Sequence, residues 1–171
     1  LRAMVRLLRG NPAFLRFLGK RAVYTSAAML AVPILPLYYV RTVNASNSWI
    51  GIFGTVQTAV MLIGYHFWAM MSRKRGSRFV LIASLLGMCF YPMLVGLTRL
   101  EPLIALTAAW AGLFQSGLNL VFFDELMKTV PAEYAPTFVS VNQTVMFSPI
   151  VVGPMVGTLL GDQIGLSGAL I

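Results

Sequence analysis

Five uncharged apolar segments constrain the fold of this chain more than any other feature of its sequence. Each is about as long as the roughly 20 residues that a helix needs to cross the hydrocarbon core of a bilayer. None contains Asp, Glu, Lys or Arg; the segments are Ala22–Val40, Ile50–Met71, Phe79–Leu97, Leu103–Phe123 and Phe138–Leu160. Backbone groups in lipid must bond within the protein, and the segments lack the strict alternation of barrel strands. The sequence therefore predicts an all-α membrane protein, a bundle of five transmembrane helices with the start of a sixth.

The composition agrees with a membrane protein. Hydrophobic residues make up 58% of the chain and charged residues 11%, whereas a soluble domain averages about 25% charged residues. The net charge of +8 would suggest nucleic-acid binding in a soluble protein. Here the cations lie at the ends of the apolar segments, where membrane topology and anionic lipid headgroups explain them. We therefore expect the lipid bilayer, and no nucleic acid, as a partner.

The cations are distributed unevenly between alternate ends of the predicted helices. The run from Arg73 to Arg78 places four cations within six residues, in one of the short connections that make successive helices antiparallel neighbours. With a cytoplasmic N-terminus, only Arg41 and Arg99 lie outside. The inner cations are Arg2, Arg6, Arg9, Arg16, Lys20, Arg21, Arg73, Lys74, Arg75, Arg78 and Lys128. Because cations flanking spans are retained on the cytoplasmic side, we expect a multi-pass plasma (inner) membrane protein with its N-terminus cytoplasmic.

The spans divide the chain into two regions. Residues 1–11 form a cytoplasmic basic segment, either amphipathic or a linker, and residues 12–171 form the bundle. Asn11 and Pro12 predict the start of the first helix, with Asn11 as its cap. Pro33 and Pro36 predict a bend in the first span, for packing or for gating. Since the chain begins without Met and ends in an apolar turn at residues 168–171, we expect a fragment of a longer protein.

Three short motifs point to a known family. Residues 69–78 read Ala-Met-Met-Ser-Arg-Lys-Arg-Gly-Ser-Arg, in which Lys74, Gly76 and Arg78 match the loop pattern Gly-x-Leu-Ala-Asp-Arg-x-Gly-Arg-Arg. Residues 153–157 read Gly-Pro-Met-Val-Gly, similar to Gly-Pro-x-x-Gly, and residues 131–133 read Pro-Ala-Glu, close to a Pro-x-Glu/Asp-Arg turn. In this order, the motifs resemble one six-helix half of a Major Facilitator Superfamily transporter without its last helix.

Two departures from the family pattern indicate which half the chain resembles. Arg73 stands where the N-terminal half usually retains an Asp, and Gly112 stands where the fourth helix of that half usually has an Arg. The resemblance therefore implies the C-terminal half, and basic residues before Asn11 would belong to the central cytoplasmic linker.

Few residues in the sequence suggest chemistry. A single His and a single Cys, no paired carboxylates within a span and no metal-ligand spacing predict neither an enzyme nor a metal or cofactor site. His66 is either a residue of the interfacial aromatic belt, a proton-coupling group, or an axial ligand for haem or a chlorophyll. Asp124 and Glu125 end the fourth span at the inner interface, where water and Lys128 can meet them. We expect a structural role for them, with proton coupling as the alternative.

Amides within the spans are the best candidates for a solute cavity. Amides are costly against lipid, so they should face protein or a wet cavity. The cavity candidates are Gln57, Gln115, Asn119, Asn142 and Gln143; interhelical hydrogen bonding is the alternative role. Small residues that recur every four positions allow close helix packing, and Gly153, Gly157 and Gly161, together with Pro154, are the predicted helix-packing residues.

These observations favour part of a secondary transporter. The resemblance implies that a small solute binds near the midplane between two halves that move against each other. Five helices cannot enclose such a site, so the missing half or a symmetry-related copy is an expected partner. The alternative is a membrane scaffold or assembly subunit that does not transport, and that holds a pigment or haem at His66.

Overall fold

The computed structural model of the chain describes residues 11–32, 34–130 and 134–164, with the backbone alone at residues 30–31 and 152–164. The described residues form helices and no strands, which confirms the all-α prediction. The helices are α1 (Pro12–Ala31), α2 (Ile34–Arg41), α3 (Asn47–Arg75), α4 (Ser77–Gly96), α5 (Glu101–Thr129) and α6 (Ala135–Ile164). The predicted segment at residues 1–10 and the motif at residues 131–133 lie outside the described residues.

The helices are long and apolar enough to cross a bilayer. Within the described chain, four segments have the length and the apolar composition of a membrane span: Pro12–Arg41, Asn47–Arg75, Ser77–Gly96 and Glu101–Thr129. The fifth predicted span, residues 138–160, lies within the backbone of α6. Both α3 and α5 have 29 residues and are therefore about 44 Å long. Since the hydrocarbon core is about 30 Å thick, their polar ends extend into the headgroup region, beyond the predicted spans.

Large apolar side chains cover much of the outer surface of the bundle. Among the described residues, six of these side chains are 66–73% exposed: Val23, Leu62, Ile63, Leu97, Leu106 and Val151. Soluble monomers rarely expose large contiguous apolar patches. This surface is therefore suited to lipid or to further protein, in agreement with a membrane protein.

The first helix begins where the sequence predicts. The Asn11 side chain accepts a hydrogen bond from the backbone N–H of Phe14 at 3.2 Å, and Pro12 occupies the first turn. This satisfies one of the N–H groups that a helix start leaves without a partner. Helix α1 then ends at Ala31 and α2 starts at Ile34. Pro33 lies outside the described residues, so the bend expected in the first span stays a prediction.

The basic run at residues 73–78, expected to form a short connection between spans, is helical except at Gly76, so the connection is shorter than expected. Helix α3 continues to Arg75 and α4 starts at Ser77, so that Gly76 alone joins them. The backbone of Gly76 has φ 85° and ψ 156°, a conformation that is essentially restricted to glycine. One residue without a Cβ therefore reverses the chain, and the neighbouring cations remain helical.

Helix ends that were predicted to share one side of the membrane meet in the structure. At one end of the bundle, the Asn11 side-chain amide donates to the carbonyl of Thr129 at 2.7 Å. At the opposite end, the Tyr38 hydroxyl lies 3.2 Å and 3.1 Å from the carbonyl oxygens of Gly96 and Thr98. Successive long helices are therefore antiparallel. Which end faces the cytoplasm stays a prediction.

Helix α5 is the centre of the bundle, because it packs against both α3 and α4. Glycines allow the closest approaches. A Cβ at Gly64 of α3 would lie 3.3 Å from the carbonyl oxygen of Leu113, and one at Gly112 would meet the backbone carbonyl of Gln57. A further main contact of the bundle joins α1 to α6. The packing of α3 against α5 positions the amides described next.

Candidate functional site

A chain of three polar side chains connects α5 to α3. Gln115 donates from Nε2 to Asn119 Oδ1 at 3.1 Å, and Asn119 donates from Nδ2 to the Tyr65 hydroxyl at 3.1 Å. Gln115 and Asn119 are one turn apart and therefore share a face of α5. All three side chains are half-buried. Tyr65 was not among the predicted cavity residues, because nothing in the sequence shows that it lies opposite Asn119.

This polar chain has unused hydrogen-bonding capacity at both ends. Within the described part of the protein, neither the amide oxygen of Gln115 nor the hydroxyl hydrogen of Tyr65 has a protein partner. An amide oxygen accepts and a hydroxyl hydrogen donates. The arrangement therefore offers an acceptor and a donor to a ligand or to water, while the middle of the chain is held in place.

Gln57 lies near this polar chain through its backbone. Its carbonyl packs against Gly112, which is three residues before Gln115 on α5. The Gln57 side chain is half-buried and has no hydrogen bond within the described residues. The structure thus brings three predicted residues to the α3–α5 contact but bonds only Gln115 and Asn119 to each other.

The other two predicted amides lie on α6 and face different surroundings. Asn142 is 1% exposed and accepts a hydrogen bond at 3.2 Å from the guanidinium of Arg21 on α1. Its Nδ2 is buried and has no partner among the described residues. Gln143 is exposed. No hydrogen bond within the described chain joins Asn142 to the polar chain of α5, so the five amides do not form one site.

The loop motif lies at the end of the bundle that contains Gly76. Lys74 and Arg78 are exposed on either side of it. Close by, the Ser77 hydroxyl donates to the carboxylate of Asp124, which also pairs with Lys128 at 2.6 Å. These contacts fasten the start of α4 to the end of α5, and they support the structural role expected for Asp124.

The predicted packing glycines cannot be compared with their surroundings. Four residues lie in the part of α6 that is described by its backbone alone: Gly153, Pro154, Gly157 and Gly161. Their packing role stays a prediction.

Sequence reasoning missed the close contacts of α5. The sequence contains a signal for them, since Ala108, Gly112 and Ser116 are small and recur every four residues. The structure shows that all three are buried.

His66 is exposed on α3, beside Phe67, whose surface is 41% exposed. Cys89 is an exposed free thiol on α4. In the part of the chain that the structure describes, no three His, Cys, Asp or Glu side chains are grouped so that they could hold a metal ion.

Comparison with known proteins decides the family. Residues 21–171 match the Major Facilitator Superfamily. The chain belongs to this family. This match confirms the family that the motifs resemble. It also confirms that the chain is a multi-pass membrane protein of a transporter family.

Three relatives are described as "Multidrug resistance protein MdtG". The protein of Serratia proteamaculans (strain 568) is 30% identical over 162 residues, which cover 90% of this chain and 38% of the relative. The protein of Citrobacter koseri is 29% identical over 82% of this chain and 36% of the relative. The protein of Proteus mirabilis is 27% identical over 80% and 35%. The chain thus spans just over a third of the length of these relatives, and no solved structure matches it.

Proposed function

We propose that this superfamily chain is part of a secondary transporter that moves a small solute across the plasma membrane by alternating access. The observation that carries the proposal is the chain of Gln115, Asn119 and Tyr65, which has an unused acceptor at one end and an unused donor at the other. Polar side chains within apolar spans are expensive unless they serve packing or a pathway. These three are half-buried, so water or solute can reach them.

The orientation and the half of the transporter belong to the same proposal. The excess of cations at one set of helix ends supports a cytoplasmic N-terminus, and Arg73 and Gly112 support the C-terminal half. The solute would bind between this bundle and a second one, which is the missing half or a symmetry-related copy. Because the relatives are described as multidrug resistance proteins, we propose drug-like small molecules as the solute class.

The alternative of a scaffold that holds a pigment or haem receives no support from the family or from the relatives. No feature around His66 in the described residues favours it either, since that side chain is exposed on an apolar helix face.

The proposal is tested by Gln115→Leu in the full-length protein. Leu is similar in size, so it removes the amide without opening a large void. Asn119 keeps its bond to Tyr65. We expect transport of a drug-like solute to fall while the melting temperature in detergent is unchanged.

The matched control is Thr58→Val, also on a span. Within the described part of the chain, the Thr58 hydroxyl bonds only to the carbonyl of Gly54 in its own helix, at 2.9 Å, so transport should survive this change. A Gln115→Leu protein that loses stability by about 1–3 kcal/mol and transports normally would show that the amide holds the polar chain in place and does not contact solute.

A further inference from the structure

A cavity separate from the amide chain opens between α1, α4 and α5. Its volume is about 680 Å³, within the range of about 300–1,000 Å³ that is typical of ligand pockets. Arg16, Lys20 and Arg21 of α1 and Arg78 of α4 are its cationic lining residues. None of the five predicted cavity amides lines it.

The cavity has an excess of positive charge. Among the described residues, Glu125 is the one carboxylate that lines it. Glu125 pairs at 3.5 Å with Lys128, which is not part of the lining. The negative charge of Glu125 is therefore partly neutralised from outside. The four cations of the lining act together on whatever enters.

Several guanidinium donors remain available in the cavity. Arg21 is held by its bond to Asn142 and lies 5.2 Å from the centroid of the Phe122 ring. Arg16 uses only Nε, which donates to the carbonyl of Pro12 at 3.3 Å. Arg78 has no hydrogen bond within the described residues. Planar guanidinium groups with free N–H donors are well suited to phosphate oxygens.

On α4 the lining changes from polar and charged to apolar along the helix axis, whereas on α1 the cations Arg16, Lys20 and Arg21 are spread along the cavity. On α4 the cavity runs from Ser77 and Arg78 at the helix start to Leu81 and Leu85, a depth of about 12 Å at 1.5 Å per residue. On α5 the apolar Val121 lies at the deep end. A ligand that fits has an anionic group at the helix ends and an apolar portion pointing towards the membrane centre.

We propose that this cavity binds an anionic phospholipid of the cytoplasmic leaflet. Its phosphate would contact Arg16, Lys20 and Arg78, and its acyl chains would lie against Leu81 and Leu85. The inference rests on the proposed orientation, which places these helix ends inside, where anionic lipids attract basic pockets between helices. It does not depend on transport, because no residue of the amide chain is involved.

The test measures the melting temperature of the purified full-length protein in detergent. The added probes are dioleoylphosphatidylglycerol, dioleoylphosphatidylcholine with the same tails, and glycerol phosphate as a phosphate without tails. The variants are Arg16→Gln and Arg78→Gln, both at exposed positions, so that folding should survive. The control is Arg73→Gln, which removes the same charge from the same basic run, outside the cavity lining.

We expect phosphatidylglycerol to raise the melting temperature of the unmodified protein and of Arg73→Gln. The other two probes should give no shift. Arg16→Gln and Arg78→Gln should each bind phosphatidylglycerol about tenfold more weakly, the size of a lost charged hydrogen bond.

Three results would overturn the proposal. Equal stabilisation of all variants by phosphatidylglycerol would mean general surface attraction, or a cavity filled by the rest of the full-length protein. If glycerol phosphate raises the melting temperature of the unmodified protein as much as phosphatidylglycerol does, the cavity binds a free anion and not a lipid. No stabilisation of the unmodified protein would remove the site. None of these outcomes depends on transport activity.

Discussion

Replacing Gly112 with Ala tests the close approach of α3 and α5 most directly. A Cβ at this position would meet the carbonyl oxygen of Gln57, and would lie 3.0 Å from its carbonyl carbon and 3.2 Å from its Cα. All three atoms belong to the backbone, so no change of rotamer can relieve the contact. We expect the two helices to move apart along this face.

The cost can be estimated from overpacking in other proteins. One extra methyl group in a packed interior costs about 1–3 kcal/mol. The matched control is Gly54→Ala on α3, where a Cβ meets nothing within 4 Å. An alanine in a helix interior is favoured over glycine by about 0.5–1 kcal/mol, so the control should gain stability. This gain applies to both substitutions and cancels in the comparison, so the two variants should differ by the overpacking cost of roughly 1–3 kcal/mol.

The assay is thermal unfolding of the purified full-length protein in detergent. Gly19→Ala on α1 is a second control, since a Cβ there also meets nothing within 4 Å among the described residues. If other parts of the full-length protein pack on one control position, the second control still reports an unobstructed site. A Gly112→Ala protein as stable as both controls would refute the argument that a backbone contact limits this position.

Three further predictions concern orientation and backbone. With Cys89 replaced by Ser, a cysteine at Ser48 should react with an impermeant thiol reagent in intact cells and one at Lys74 should not; the reverse pattern would overturn the proposed orientation. Gly76→Ala should lower the melting temperature, because its backbone conformation costs other residues about 1–3 kcal/mol; an unchanged melting temperature would contradict this. Gly157→Ile should destabilise the protein more than the same change at Ser148, which is exposed on the same helix; equal effects would mean that the glycine face is not packed.

The features of the fold that sequence predicted correctly are those with a strong local cause. Long uncharged apolar segments can satisfy their backbone in lipid only as helices, and the helices are found there. Asn11 caps α1 because a short polar side chain reaches the N–H groups of the first turn.

Errors arose where the outcome depends on contacts between distant residues. The run at residues 73–78 is polar and contains Gly76, which resembles a loop in the sequence. Yet Ser77 is fastened to Asp124 at the end of α5, 47 positions along the chain, and helical structure continues up to Gly76 on both sides. Similarly, Tyr65 completes the polar chain because α3 and α5 pack closely, and no spacing within α3 reveals its partner.

The packing residues of α5 and its proposed solute-contact residues occupy neighbouring faces of the helix. The small residues Ala108, Gly112 and Ser116 are buried against neighbouring helices, while Gln115 and Asn119 form the polar chain that reaches Tyr65. Because Gly64 precedes Tyr65 and packs on Leu113 and Ser116, the approach that stabilises the bundle also sets the distance across which Asn119 bonds. A substitution on α5 that moves either helix will therefore change stability and the proposed site together. For this reason a loss of transport at Gln115 argues for solute contact only when stability, measured on the same purified protein, is unchanged.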